Sequence, residues 1–364
     1  MKIEDYKKPS IGVVIATYNN ALYLRECIES VLRQTYKPSQ IIICDDASID
    51  GNQEIVKEYA KKYPNLIESI LHKINKGIPK NFNSGLKRIK TDYLCLIAGD
   101  DFWDKNKLKF EVERLQHVKA ARWCYSGSYL TDSSGKVTKK FVRAYDGSEG
   151  NILFYVLSHQ MTLRNLLIEK KLLDEVGFFD ETLAVFEDWD FKIRLAASAP
   201  VAATNKRTNF YRRHTSNISM GDPEKLIRDE IRVYEKHLPL LANCIQSEAL
   251  NIKCSVESLI AHKQLKMPES RRFVYYTLEN VYKRFYPVYI NSSKNDRYVI
   301  KKCFSEMFIK AAKHELTKNH KKNALKYGVR SLRYNSKNTY VKYLTRLLEK
   351  LKLSRALGAN EKLI

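Results

Sequence analysis

Tyr93-Leu94-Cys95-Leu96-Ile97-Ala98-Gly99-Asp100-Asp101 is an uncharged run of strand length that stops on two adjacent carboxylates. Ile41-Ile42-Ile43-Cys44-Asp45-Asp46 repeats that arrangement upstream. Continuous apolar runs without alternation mark central parallel strands covered on both faces. Ligands of an open α/β sheet bind outside the carboxyl ends of such strands, so both acid pairs fall on the working edge. Two adjacent acids repel each other unless something rewards the negative charge, and a divalent metal bridging substrate phosphates does so. The alternative is that each pair caps the following helix, Asp being a good N-cap. For one pair the two readings are balanced; two pairs ending two strands of one sheet favour a ligand.

Working outward, strand and helix alternate from Ile11 to about Gln116. Ile11–Ala16 reads as strand one, and Leu24, Cys27, Ile28, Val31 and Leu32 follow with helical spacing. Ile41–Cys44 is strand two, with Ser48 or Asp50 as N-cap of a helix through Ala60. Leu66–Leu71 is strand three, Asn81–Ile89 a helix, Tyr93–Ile97 strand four and Lys105–Val118 a helix. This alternation predicts a doubly wound parallel sheet. Between Arg122 and about Val201 it ends: Trp123–Leu130 and Thr162–Ile168 read as strands, and Asp190–Ala197 as a helix behind a third acidic pair, Glu187-Asp188. A strand near Val201 leads into Tyr211-Arg212-Arg213-His214.

Beyond Asp222 there is little Gly or Pro and helical spacing dominates. Leu226, Ile227, Ile231, Tyr234 and Leu238 form one stripe; Ala324, Tyr327, Gly328, Ser331 and Leu332 form another. The expected organisation is an α/β domain over 1–220, in two halves at about 9–120 and about 121–220. A helical, basic C-terminal region over 221–364 follows.

The net charge is +23, and from Gly221 onward 30 Lys+Arg stand against 14 Asp+Glu, so that region carries +16 of it. Seven cysteines without a CxxC pair, two inside core strands, indicate reduced thiols and a cytoplasmic chain. The lysine-bearing N-terminus lacks a signal-peptide apolar region, and no apolar stretch reaches membrane-span length. Membrane contact is then peripheral, with the basic tail on the anionic inner face or, equally, a solvated surface. Basic charge with Tyr275, Tyr276, Tyr282, Phe285 and Tyr286 interleaved permits nucleic acid, but at helical spacing those aromatics more often pack a core.

Strand one ends in Ala16-Thr17-Tyr18-Asn19-Asn20, without the glycine-rich fingerprint of dinucleotide or phosphate-binding loops. An aromatic and a hydroxyl at a strand's carboxyl end can instead stack on and edge-bind a base. Asp45-Asp46 ends strand two, where a carboxylate can accept the imide N–H of a uracil or thymine ring. Asp100-Asp101 follows Ala98-Gly99, and a glycine lets backbone approach a ligand closely. Paired carboxylates with few protein ligands suit magnesium or manganese, completed by phosphate oxygens and water. Glu187-Asp188 opens a helix, where acids often only compensate the dipole, or else supply a base for an incoming nucleophile.

Taken in order, Ile15-Ala16-Thr17-Tyr18-Asn19, Asp45-Asp46-Ala47-Ser48-Ile49-Asp50-Gly51, Gly99-Asp100-Asp101, Gly177-Phe178-Phe179-Asp180-Glu181, Glu187-Asp188 and Tyr211-Arg212-Arg213-His214 resemble the family 2 glycosyltransferases, bacterial polysaccharide type, over about residues 9 to 219. The resemblance implies the GT-A fold, a Rossmann-like, mixed, mostly parallel sheet flanked by helices. It also implies an inverting, metal-dependent transfer from a nucleotide sugar, UDP-linked by the base reading, to a saccharide or lipid-linked acceptor in cell-surface glycan synthesis. By resemblance, Tyr18 and Asp46 hold the nucleotide base and Ala16 belongs to the donor site, while Thr17, Asp45 and Glu187 support and shape the site as a whole. Asp100 lies near the ribose, Asp101 binds manganese or magnesium, Asp188 is the catalytic base, and His214 sits on a segment closing over the diphosphate.

Two departures matter. Many members carry an acid where Ala98 stands, and an arginine where Phe82 stands. Lys80, or Arg212 and Arg213, then contact the phosphates or are solvated charges. The Gln-x-x-Arg-Trp motif of processive synthases is missing, which favours single addition. A sugar nucleotidyltransferase, the rival enzyme, needs a glycine-rich loop with a basic residue where this chain has Thr-Tyr-Asn-Asn.

Overall fold

The computed structural model describes residues 8–140, 149–158, 166–214, 222–243, 246–263, 279–283, 285, 294–317 and 327. The chain divides into two compact units, Met1–Met220 and Gly221–Ile364.

The first unit begins β1 (Ile11–Thr17), α1 (Ala21–Leu32), β2 (Gln40–Asp45), α2 (Asn52–Lys62), β3 (Ile67–Leu71), α3 (Ile78–Leu86) and β4 (Tyr93–Ala98). These strands lie side by side as β3-β2-β1-β4, all parallel. Every residue of β1 is buried, as are Ile41 to Asp45, which is why these runs carry no alternation. One face packs Val13, Ile15, Ile41, Ile43, Cys95 and Ile97 against Leu24, Cys27, Ile28 and Val31 of α1. On the other face α3 comes so close that a Cβ at Gly85 would meet Val14 Cγ1 at 2.6 Å and Cys44 Sγ at 2.7 Å. Each fully buried branched aliphatic side chain contributes about 1.5–3 kcal/mol.

Past β4 come β5 (Phe102–Trp103), α4 (Lys107–His117), β6 (Trp123–Thr131), β7 (Val137–Lys140), α5 (Leu153–Leu157), β8 (Leu167–Glu169), α6 (Lys170–Val176), α7 (Glu187–Ser198) and β9 (Val201–Arg212). Here the purely parallel expectation gives way. β8 is antiparallel to both β4 and β6, β9 runs parallel to β6, and β5 is antiparallel to β9. The nine-stranded order is β3-β2-β1-β4-β8-β6-β9-β5, with β7 on β6. The mixed sheet with flanking helices is the architecture that the family resemblance implied.

Boundaries shift with consequences for the site. β2 extends through Asp45, so that acid is in the strand rather than behind it. α3 starts earlier than expected because Pro79 fits the first helical turn. α7 includes Glu187 and Asp188, and β9 includes Tyr211 and Arg212. β8 keeps only the end of the expected 162–168 strand, whose earlier part, 162–165, lies outside the described residues.

The second unit is helical among its described residues: α8 (Pro223–His237), a 3-10 turn (Leu238–Asn243), α9 (Gln246–Lys263) and α10 (Lys294–Thr317). Asp222 caps α8, its carboxylate accepting the Glu224 N–H at 3.0 Å, and Ile227, Ile231 and Tyr234 of the expected stripe are buried. Cys254, Val281, Phe285, Ile300, Phe304, Met307 and Phe308 form the core, against which Tyr282 packs. Tyr282 and Phe285 thus serve packing, whereas Tyr275, Tyr276 and Tyr286 lie outside the described residues. Of the second stripe only Tyr327 is described, stacked on Phe308 with centroids 6.2 Å apart. No described helix is long and apolar enough to cross a membrane.

Candidate active site

The carboxyl ends of β1, β2 and β4 bring Thr17, Asp45 and Ala98 to one edge: Thr17 is in register with Asp45, and Ala16 with Ala98. Asp45 is fully buried and structural in its bonding, accepting Ser48 N–H at 3.0 Å and Asn52 Nδ2 at 2.8 Å. Asn52 also donates to Thr17 Oγ1 at 2.8 Å, and Asn81 donates to Cys44 O at 3.0 Å. Both amide oxygens, Asn52 Oδ1 and Asn81 Oδ1, are buried without a hydrogen-bond partner. The β1–α1 and β2–α2 loops are clipped together: Asn19 N donates to Ser48 Oγ at 2.8 Å, and Ile49 N to Asn19 Oδ1 at 3.0 Å. Asn19 (φ 51°) and Ala47 (φ 63°) hold left-handed backbone at this edge, a conformation costly outside glycine and concentrated at working sites.

Asp46 differs from the picture of a carboxylate held out to a base. It is buried, and its oxygens accept the Lys76 and Gly77 N–H groups, each at 2.8 Å. An ionised carboxylate has about four acceptor directions, so the clamp leaves room for a further donor. Tyr18 is 44% exposed beside it, and Lys80 is exposed on the first turn of α3. His72, under the same loop, has its pKa lowered by burial and then by the Lys76 charge.

Asp100 and Asp101 turn away from β4 after Gly99, where a Cβ would lie 2.5 Å from Thr17 Oγ1. Asp101 is buried and its Oδ1 accepts the Arg212 N–H at 3.0 Å. Asp100 Oδ2 is 3.0 Å from His214 Nε2, and the His214 ring sits 5.0 Å from that of Tyr23. Beneath them, burial pushes the Cys27 thiol pKa well up, and the Asp101 and Asp100 charges add to it.

Arg212 corrects the expectation of a phosphate-facing cation. Its side chain is 2% exposed and spent inward: Nε on Asp100 O at 2.9 Å, Nη1 on Ser133 O at 2.8 Å, and Nη2 on the Glu26 carboxylate. The guanidinium also lies 4.6 Å over Tyr23 and 5.1 Å over Phe102. Burial explains the change: β9 runs through Arg212, and its guanidinium is enclosed by the Asp100 and Ser133 carbonyls and the Tyr23 and Phe102 rings. Arg213 lies beyond β9 and is exposed, with its guanidinium 5.1 Å from the Tyr211 ring.

Asp188 is on the first turn of α7, its side chain 54% exposed and its Oδ2 2.6 Å from Lys192 Nζ. Glu187 is half-buried beside it, and Phe186 before it is left-handed (φ 62°). Position along the sequence does not reveal how α7 is set. Asn83 accepts Phe179 N–H at 3.0 Å, donates to Phe179 O at 3.0 Å, and reaches Glu181 Oε1 at 3.0 Å. Phe82, 5.6 Å from Phe179, and Phe179, 4.8 Å from Phe191 on α7, continue the tie. Asn52, Asn81 and Asn83 were invisible as site residues; buried asparagine is the only signal, and burial is unknown before folding.

Among the described residues no group of three or more His, Cys, Asp or Glu could enclose a metal ion. The adjacent hard carboxylates of Asp100 and Asp101 would suit only an ion that takes its remaining ligands from phosphate and water.

Residues 12–177 match the model of Glycosyl transferase family 2. The chain is 31% identical over 191 residues to an uncharacterized glycosyltransferase, RP339, of Rickettsia prowazekii, covering 51% of this chain and 58% of that one. It is 32% identical over 197 residues to another from Rickettsia bellii, covering 52% of this chain and 28% of its relative. The chain therefore spans less than two thirds of either relative. In structure it is similar to S. aureus TarS 1-349, at TM-score 0.52 and 15% identity, over 89% of this chain and 88% of that one. It is likewise similar to TarS 1-349 in complex with UDP-GlcNAc, at TM-score 0.53 and 17% identity, over 89% of each chain. Residues 12–177, just under half of the chain, carry the match to glycosyl transferase family 2, and the acid-tipped mixed sheet that holds them has the GT-A fold.

Proposed function

We propose that the chain is an inverting glycosyltransferase, moving a hexosyl or N-acetylhexosaminyl group from a UDP-sugar to a hydroxyl of a saccharide or lipid-linked saccharide in cell-surface glycan synthesis. The observation that carries it is the convergence of Asp46, Asp100, Asp101 and His214 on the edge where β1, β2 and β4 end. The family match and a similar fold that binds UDP-GlcNAc support the donor class.

In this reading Tyr18, with Ala16 and Thr17, and Asp46 hold the base. Asp100 and His214 serve the ribose and diphosphate, and Lys80 is an exposed cation on the first turn of α3, just past the clamped loop. Asp101, with Asp100, would hold manganese or magnesium, which when bound neutralises charge on the departing diphosphate. Asp188 takes the acceptor hydroxyl proton as the new glycosidic C–O bond forms. The anomeric C–O bond to phosphate breaks on the opposite face and the nucleoside diphosphate leaves with the electron pair. No covalent intermediate is needed; positioning and electrostatic stabilisation lower the barrier. We place the reaction at the cytoplasmic face of the cell membrane.

Calorimetric titration with UDP and UDP-GlcNAc, with and without manganese, tests the reading. Metal-dependent binding that Asp101→Ala abolishes is expected; equal affinity in the variant would remove Asp101 from the metal role.

A further inference from the structure

We propose that the loop tips beyond β1, β2 and β3 form a docking face for an anionic lipid bilayer. Among the described residues the three most exposed large apolar side chains lie there: Leu22, Ile49 and Ile74, with Ile49 at 92% and Leu22 at 82%. Scattered exposed apolar residues are ordinary, but a concentration on one edge marks an interaction surface.

The tips are held rather than loose. The bonds of Asn19 to Ser48 and Ile49, and of Ala21 N to Asp50 Oδ2 at 2.8 Å, bring the Tyr18–Leu22 and Ile49 segments together. The Asp46 clamp on Lys76 and Gly77 fixes the third loop, which carries Ile74. Asp46 thus gains a second role, rigid presentation of an apolar tip.

Charge selects the occupant. Residues 72–91 contain Lys73, Lys76, Lys80, Lys87, Arg88 and Lys90 and no acid. Lys87 and Arg88 pair with Glu181 and Glu68. Lys73, Lys76 and Lys80 are exposed, and among the described residues none of them is in an ion pair. Protruding isoleucines beside unpaired lysines suit an interface in which apolar tips enter between head groups while ammonium groups meet phosphates. The proposal does not depend on the transfer reaction.

The test is flotation of the full chain with vesicles of phosphatidylcholine alone or with phosphatidylglycerol, at low and high salt. Binding to the anionic vesicles, weakened by salt, is expected. Ile49→Ser with Ile74→Ser should lower the bound fraction about tenfold, and Lys73→Glu severalfold. Each single isoleucine change, at an exposed tip, should give a partial loss, so that misfolding of the double variant cannot mimic the result. UDP titration of the same variants reports separately on the donor site. No flotation of the wild-type chain, or equal flotation of the double variant, would overturn the proposal. A dimer that the same substitutions dissolve in ultracentrifugation, without vesicle binding, would assign the face to a second copy and overturn it as well.

Discussion

His214 Nε2 lies 3.0 Å from Asp100 Oδ2, joining the residues just beyond β9 to the turn that ends β4. That contact puts a residue far along the chain on the acid pair on which the proposed donor site is built. His214→Ala is expected to weaken UDP binding about tenfold, worth ~1.4 kcal/mol. The melting temperature should move little, and calorimetry alongside thermal denaturation separates the two effects.

Arg212→Ala should act on stability first. It leaves the Asp100 and Ser133 carbonyls without their donor and releases the exposed Glu26 carboxylate to solvent, a loss of about 1–3 kcal/mol. Arg212→Lys should rescue little, because one ammonium cannot replace a fork that reaches three acceptors. Lost UDP affinity with an unchanged unfolding midpoint would return Arg212 to the phosphate role.

Asp188→Asn is expected to lower transfer by about 10²–10⁴-fold, the range of a general base, with UDP affinity within twofold. Retained turnover would take the proton-accepting role away from Asp188.

Asn83→Ala tests the tie between α3 and the segment leading to α7. Phe179 N–H and C=O lose their partner together, so stability should fall by about 1–3 kcal/mol. Hydrogen exchange should quicken at Phe179 and in the first turn of α7, while the β1–β2 loops keep their protection.

Acid sensitivity follows from Glu149. The Arg114 guanidinium, with Nε 2.6 Å from Oε1, holds its pKa below the ordinary 4.5, and the Ala203 N–H adds to this. The unfolded chain therefore binds the proton more readily. The contribution is complete above pH 4.5 and is lost as pH falls through the folded value. Glu149→Gln should flatten that part of the curve in denaturation midpoints measured on the acid side.

The parallel half was legible because its strands are buried on both faces, and such strands cannot carry charge: β1 and Ile41–Cys44 read directly as core. The acids stood out for the same reason, being the first charges after an uncharged run. Asp46 was legible in place but not in bonding, because its partners are backbone N–H groups of the loop before α3, which no sequence pattern marks. Arg212 was misread because a cation beside His214 looks solvated until β9 is known to run through it. Antiparallel pairing of so short a segment as β8 leaves too few residues for periodicity to speak.

That short strand has an evolutionary consequence. β8 offers three residues, Leu167–Glu169, as the seam between the parallel half and β6. Drift in β6, β7 and the segments around them can then proceed without altering the pairing of β1, β2 and β3. A lineage built on this scaffold can remodel one half of its sheet while the acid-bearing half stays as it is.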